Sequence, residues 1–242
     1  MTTKPAMTKL HSLAKVVLLT FVVGVVSPSA WAADKSGCKD IPGIKRFEGS
    51  SLVLCSKKNF AEYTLPTGKI DRWDFDNQRL VGLDKQDLEG KLVQNVYEVP
   101  VGASSAQVFR NYTNDLKAKG FKILYEAKQL DTKPLQQYFS SQGPGGQIFG
   151  YSEDEARYVA AVKEEDDDQT YVANGVYIVR SHGPKDKEES GAKTYVALYI
   201  VEYRDGLAPN GITPMKGQVY VRLDALTVGE LKDEMVTTPG SK

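Results

Sequence analysis

The sequence predicts an α+β domain built on a largely antiparallel sheet that contains one strand-helix-strand unit, at about residues 92–127. Two observations carry this prediction. A capped helical pattern lies between two strand patterns in the middle of the chain, and several further strand patterns follow, joined by polar or Gly/Pro connections. With 242 residues, of which 41% are hydrophobic and 26% charged, the chain can form a sizeable core.

Residues 1–32 have the pattern of a secretory signal peptide. Three lysines and no acidic residue accompany a short apolar run, Val16 to Val26, and Ala30 and Ala32 have the A-x-A spacing of a cleavage site. We expect cleavage after Ala32 or one residue later. Because the apolar run is too short to span a bilayer, a membrane anchor is the less favoured interpretation.

Removal of this peptide leaves one predicted periplasmic α+β domain, residues 33–238, and a short tail, residues 239–242. We expect no transmembrane segment in the remaining chain, since no later apolar run is long enough. An association with the outer membrane is a further expectation. A lipid anchor on Cys38 stays a less favoured alternative, because Lys35 stands where such signals carry an apolar residue.

The two cysteines, Cys38 and Cys55, both follow the signal peptide. In an oxidising compartment two thiols seventeen positions apart favour a disulfide, which would stabilise the fold by about 3 kcal/mol. The alternative is a free, buried Cys55, since "SSLVLC" has the pattern of an apolar strand.

The stretch "LEGKLVQNVYEVPVGASSAQVFRNYTNDLKAKGF" has the pattern of a strand, a helix and the start of a second strand. Ser104 with Gln107 three residues later forms a capping box, and Gly120 suits the end of the helix. The predicted helix, residues 104–118, packs on the sheet through an apolar stripe of Val108, Phe109, Tyr112 and Leu116. The crossover is long enough for its flanking strands to lie parallel in one sheet, adjacent or with another strand between them.

Four strand patterns follow, "ARYVAAVK", "TYVANGVYIV", "TYVALYIVEYR" and "GQVYVRLDALTV". The third is apolar on both faces and is predicted to be central, whereas the fourth alternates and should present Arg222 and Asp224 to solvent or to a partner. "GPGGQIFG" is predicted to be a flexible loop. Residues 163–193 are longer than a simple hairpin needs, so extra strands or a loop both remain open there.

Composition narrows the functional classes. Three of the 31 Lys and Arg residues lie in residues 1–32, and none of the 31 Asp and Glu residues does. The remainder therefore has 28 basic and 31 acidic residues, a net charge of −3. Nucleic acid is therefore not an expected partner. With His182 as the single histidine after the signal peptide and two cysteines, no Cys/His zinc set exists, and we predict no metal, cofactor or catalytic site.

Several blocks carry a family resemblance: "RFEGSSLVL", "FAEYTLPTGK", "VFRNYTNDLKAKGFKILYE", "TYVALYIVEY" and "VRLDALTV" followed by "EMVT". In this order they resemble the exported N-terminal domain, of undefined function, of some OmpA-family envelope proteins. In that family a C-terminal domain binds peptidoglycan. The present sequence ends soon after "EMVTT", so that activity is not expected here, and the resemblance supplies no catalytic residues.

Function is then predicted to be that of a non-enzymatic structural or interaction module in the cell envelope, which binds another, unidentified envelope component. The alternative is a small-ligand-binding protein or a hydrolase-type enzyme that uses clustered carboxylates and arginines. The candidate interaction residues are Glu89, Arg110, Asn111, Arg157 and Asp224.

Overall fold

The structure, a computed structural model, describes residues 1–2, 33–82, 84–150, 156–164, 170–173, 176–179, 192–203 and 217–229. Every element below belongs to one compact unit within residues 31–242. The predicted signal peptide beyond residue 2, the acidic residues 165–168, His182 and the tail at residues 239–242 lie outside the described residues.

The described strands are, in chain order, β1 (Ser51–Pro66), β2 (Arg72–Asp74), β3 (Arg79–Val81), β4 (Lys85–Glu98), β5 (Lys122–Lys128), β6 (Arg157–Glu164), β7 (Thr170–Ala173), β8 (Val176–Val179), β9 (Lys193–Glu202) and β10 (Val219–Val228). Six of them form one sheet in the order β1-β4-β10-β9-β6-β5, and each neighbouring pair is antiparallel. The predicted antiparallel α+β fold and the central position of β9 are therefore confirmed.

The strand-helix-strand unit is confirmed, with helix α1 (Ser105–Ala118) between β4 and β5. Ser104 caps its start, where the side chain accepts a hydrogen bond from the Gln107 amide. The helix ends in a Schellman motif around Gly120, whose φ of 81° is left-handed, and the Phe121 amide donates to the Leu116 carbonyl. β4 and β5 are parallel in direction, but β10, β9 and β6 separate them, so the expected closeness of the two strands is wrong.

Two layers cover the sheet. On one face, the predicted stripe of α1 is buried together with Ile41 and Ile44 of the N-terminal segment, residues 34–50. On the other face lie the helices α2 (Lys133–Ser141) and α3 (Gly146–Gly150) and the β2–β3 hairpin. Because both faces are covered, polar side chains on either face of the central strands must find partners inside the protein.

The second layer departs most from the sequence predictions. Residues 143–150, predicted to be a flexible loop, contain α3, which buries Ile148 and Phe149. The charged stretch "DRWDFDNQRLVGLDKQD", for which the sequence predicts no strand or helix, contains the β2–β3 hairpin, with Trp73 buried. "TYVANGVYIV" forms two paired strands, β7 and β8, and the rest of residues 165–191 lies outside the described residues.

Candidate functional site

The exposed face of α1 forms one side of a surface cavity of about 590 Å³, which we call the α1 groove. Gln107, Arg110, Asn111 and Asn114 are exposed, and their spacing of three and four residues places them in one stripe along the helix. The whole lining comprises Phe47, Glu48, Ser104, Ala106, Gln107, Arg110, Asn111 and Asn114.

The opposite side of the α1 groove comes from the N-terminal segment. Phe47 donates its backbone amide to the hydroxyl of Tyr112 at 3.2 Å, and the Tyr112 side chain is fully buried beneath α1. This contact joins the two sides of the groove through a buried group, so the aromatic ring of Phe47 is held beside the helix.

The α1 groove contains one positively and one negatively charged side chain. Arg110 and Glu48 are both exposed, and neither forms an ion pair with any residue that the structure describes. Three carboxamides, on Gln107, Asn111 and Asn114, add donors and acceptors between them. A partner can thus gain charge-assisted hydrogen bonds to Arg110 without breaking an existing ion pair among the described residues.

A dense set of contacts fixes the N-terminal segment that supplies Phe47 and Glu48. The predicted Cys38–Cys55 disulfide is present and joins the segment to β1. Arg46 makes two hydrogen bonds of 2.7 Å to the Asp34 carboxylate, and Asp34 Oδ1 also accepts the Leu52 amide at 2.8 Å. These hydrogen bonds lower the pKa of Asp34 to about 2, with the Arg46 guanidinium as the largest cause.

Arg46 is also shared with a second carboxylate. Its Nη2 lies 2.9 Å from Asp40 Oδ2, and Asp40 Oδ1 accepts the hydroxyl of Tyr97 at 3.0 Å. Burial, more than these contacts, raises the pKa of Tyr97 well above its ordinary value, so this phenol stays a hydrogen-bond donor.

Of the five predicted interaction residues, the structure brings Arg110 and Asn111 together in the α1 groove. Arg157 on β6 is half-buried, and its Nε lies 3.4 Å from Ser105 Oγ at the start of α1. Glu89 is exposed on β4 and does not line the α1 groove.

Asp224 lies on the opposite face of the sheet from α1, and the prediction that Arg222 and Asp224 face solvent or a partner is wrong. Their side chains are 0% and 1% exposed, because α2 and the turn after it cover this part of β10. The two residues instead form a buried ion pair, with Arg222 Nη2 3.0 Å from Asp224 Oδ2.

Arg222 is also a C-terminal cap for α2. Its Nη1 donates to the carbonyl of Phe139 at 2.9 Å and to the carbonyl of Gln142, both at the end of that helix. The guanidinium stands over the Phe139 ring, with Cζ 5.1 Å from the centroid. Gly143 follows directly with a left-handed φ of 73°, and a Cβ there would lie 2.6 Å from Arg222 Nη2.

The carboxylate of Asp224 also has several hydrogen-bond donors around it. Oδ2 accepts the hydroxyl of Tyr63 at 3.0 Å and the amide of Gln94 at 3.1 Å, in addition to Arg222. Burial first, and then the Asp224 charge, raise the pKa of Tyr63 well above its ordinary value. Since the ion pair and its neighbours satisfy one another, this cluster is suited to holding α2 on the sheet.

The sequence contained a signal for this cluster. Residues 222 and 224 are two apart on one strand and so share a face, and they carry opposite charges in an otherwise apolar run. Two complementary charges on one face of a central strand can neutralise each other when that face is covered.

Among the described residues, no group of three or more His, Cys, Asp or Glu side chains could hold a metal ion. The same part of the chain contains no helix that is long and apolar enough to cross a membrane.

Comparison with known proteins adds no assignment: no family model matches the chain, and no curated protein matches it. The resemblance to the OmpA-family N-terminal domain thus stays a prediction from the residues quoted above.

Proposed function

We propose that this protein is an exported envelope module, periplasmic or associated with the outer membrane, that binds another envelope component through the α1 groove. The proposal includes the resemblance to the N-terminal domain of OmpA-family proteins and a non-enzymatic role. It also includes the division into a signal peptide and one domain, residues 33–238.

The α1 groove is the observation that carries the proposal. Arg110 and Asn111 project from a helix whose other face is anchored by Val108, Tyr112 and Leu116, all fully buried. Polar side chains on a rigid element, beside the aromatic ring of Phe47, suit recognition because little conformational freedom is lost when a partner binds.

The disulfide supports the proposed setting. Structural disulfides form and persist in oxidising compartments such as the periplasm, and Cys38–Cys55 fixes the segment that supplies one side of the groove. The signal-peptide pattern before it is an independent support from the sequence. A near-neutral charge balance gives no reason to propose nucleic acid as the partner.

Site-specific photocrosslinking in intact cells tests the proposal. A photoreactive residue at Asn111 should give a discrete adduct with an envelope component, whereas the same residue at Asp76 should give none. Asp76 is the matched position because it is exposed in the turn between β2 and β3, on the layer opposite α1.

A charge reversal adds the specificity control. Arg110→Glu should lower the adduct yield by about tenfold, since a central interface arginine contributes on the order of 1–2 kcal/mol. Lys58→Glu, the same reversal at an exposed residue of β1 outside the groove, should leave the yield unchanged. Equal adducts from Asn111 and Asp76, or equal effects of the two reversals, would refute the α1 groove as the binding surface.

A further inference from the structure

The N-terminal segment runs beside α1 in the direction opposite to the helix. The Lys45 amide donates to Asp115 Oδ2 at 3.4 Å. Two residues later, the Phe47 amide donates to the hydroxyl of Tyr112 at 3.2 Å, nearly one turn closer to the start of the helix. Glu48 comes next and lines the α1 groove, so its carboxylate lies beside the middle of α1.

Arg110 is on the flank of α1 that faces away from this segment. Tyr112 and Asp115, which contact the segment, define the near flank. Successive residues of an α-helix are turned by about 100°, so Arg110 lies about 140–160° round the helix from both of them. This orientation explains why Arg110 and Glu48 form no ion pair with each other, although the structure describes both and both line the groove.

Carboxamides occupy the centre of the exposed stripe. Gln107 and Asn114 lie seven residues apart, almost two full turns, and Asn111 lies between them and the near flank. A carboxamide has both a donor and an acceptor and can pair with an identical group, whereas a guanidinium has donors alone. The surface is therefore complementary to itself in an arrangement where like amides meet and Arg110 meets Glu48.

A two-fold axis parallel to α1 produces this arrangement. It places the helices of two copies side by side and parallel, so that each helix enters the α1 groove of the other copy, between α1 and residues 47–48. Because the axis preserves the level along the helix, each carboxamide meets its own counterpart. Residues 47–48 of the second copy then lie on the flank that carries Arg110. The interface contains two Arg110–Glu48 contacts, since a two-fold axis repeats every contact in both directions.

We propose that the α1 groove is also the contact surface of a two-fold symmetric homodimer, with a second copy of this chain as its occupant. The inference rests on the proposed function, because it takes the α1 groove as a recognition surface. It adds a form of regulation, since an envelope component must displace the second copy to reach Arg110 and Asn111. A small and polar interface should give a weak dimer, with a Kd of about 10–100 µM.

Sedimentation equilibrium of the oxidised mature protein, from about 10 µM to about 1 mM, measures the dimer. Arg110→Glu turns both Arg110–Glu48 contacts into repulsions, and Glu48→Lys does the same, so each variant should weaken the dimer at least about tenfold. An equimolar mixture of the two variants should regain the wild-type Kd within about threefold. In the mixed dimer the new glutamate faces the new lysine, and the native pair remains on the other side of the axis.

Lys58→Glu and Glu62→Lys are the matched control variants. Both residues are exposed on β1 outside the groove, and the substitutions change the net charge by the same amounts as the test pair. Neither control variant nor their mixture should change the Kd. All four substitutions are at exposed positions, so the proteins should remain folded. A wild-type protein that stays monomeric, a test mixture that does not regain affinity, or equal effects in the control pair would overturn the proposal.

A photoreactive residue at Asn111 separates this inference from the proposed function. In the purified protein it should give an adduct of two chains. No such adduct in the purified protein, together with an adduct to another component in cells, would refute the dimer alone. An adduct in cells that contains only a second copy of the chain would refute the binding of another envelope component and leave the dimer supported.

Discussion

The buried Arg222–Asp224 pair gives the sharpest prediction about stability. Arg222→Met leaves the Asp224 carboxylate buried with two neutral donors and also removes the donor to the carbonyls at the end of α2. Asp224→Asn leaves the guanidinium buried without a counter-charge. Because each side chain is at most 1% exposed, each single substitution should lower the free energy of unfolding by about 3–5 kcal/mol.

The double variant should be less destabilised than the sum of the two singles. Once both charges are gone, no uncompensated ion remains in the core, and the amide that replaces Asp224 can still accept from Tyr63. The expected coupling energy is about 3 kcal/mol. The Asp115–Lys119 pair at the C-terminal end of α1 is the control, with 23% and 34% exposed side chains, and its coupling should be about 0.5 kcal/mol.

Urea unfolding of the oxidised protein measures all four members of each cycle, with unchanged m-values as the check that two-state behaviour is retained. The loss is measurable, since domains typically have about 5–15 kcal/mol of stability. Additive costs at Arg222 and Asp224, or single costs below about 1 kcal/mol, would mean that the pair is hydrated and that the reasoning from burial is wrong.

Three further predictions concern stability. Reduction of Cys38–Cys55 should lower the free energy of unfolding by about 3 kcal/mol, measured by urea unfolding with and without reductant; an unchanged midpoint would contradict a structural role. The folded protein holds the pKa of Asp34 at about 2, below the unperturbed value of 3.8, so the unfolded chain binds a proton first as the pH falls. The free energy of unfolding should therefore fall by about 1 kcal/mol from pH 4 to pH 2. This value is reduced for solvent screening because the Asp34 side chain is 43% exposed. Asp34→Asn should remove that slope in acid unfolding curves. Gly143→Ala should lower the melting temperature more than Gly120→Ala, since both glycines are left-handed but only the first has atoms within 3 Å of the new Cβ; equal losses would show that crowding is unimportant.

The strand-helix-strand unit could be predicted because its signals are local. A capping serine, an apolar stripe and a glycine that accepts a left-handed backbone all lie within one turn of the residues they affect, and the structure has each of them where expected. The separation of β4 from β5 could not be predicted in this way. Three strands from later in the chain insert between them, and only long-range pairing decides that order.

The second layer was missed for a related reason. α2 has nine residues and a stripe of Leu135, Tyr138 and Phe139, too short a pattern to stand out beside a Gly- and Pro-rich turn. Without that layer, alternation in β10 indicated a solvent-facing Arg222. The strand itself was predicted correctly, and the error was that the sequence did not reveal the layer with α2 that covers it.

Some residues of the candidate site could likewise be predicted from the sequence, and others could not. Arg110 and Asn111 could be selected because the apolar stripe already accounted for the other face of their helix. Phe47 could not, because it comes from a segment with no strand or helix periodicity and is brought to α1 by tertiary contacts such as that of its amide with Tyr112.

The α1 groove depends on that same N-terminal segment, because Phe47 and Glu48 form one side of it. The segment has no strand or helix of its own, so the disulfide and the hydrogen bonds of Arg46 must define its path. Loss of the disulfide should consequently alter the α1 groove, although neither cysteine lines it.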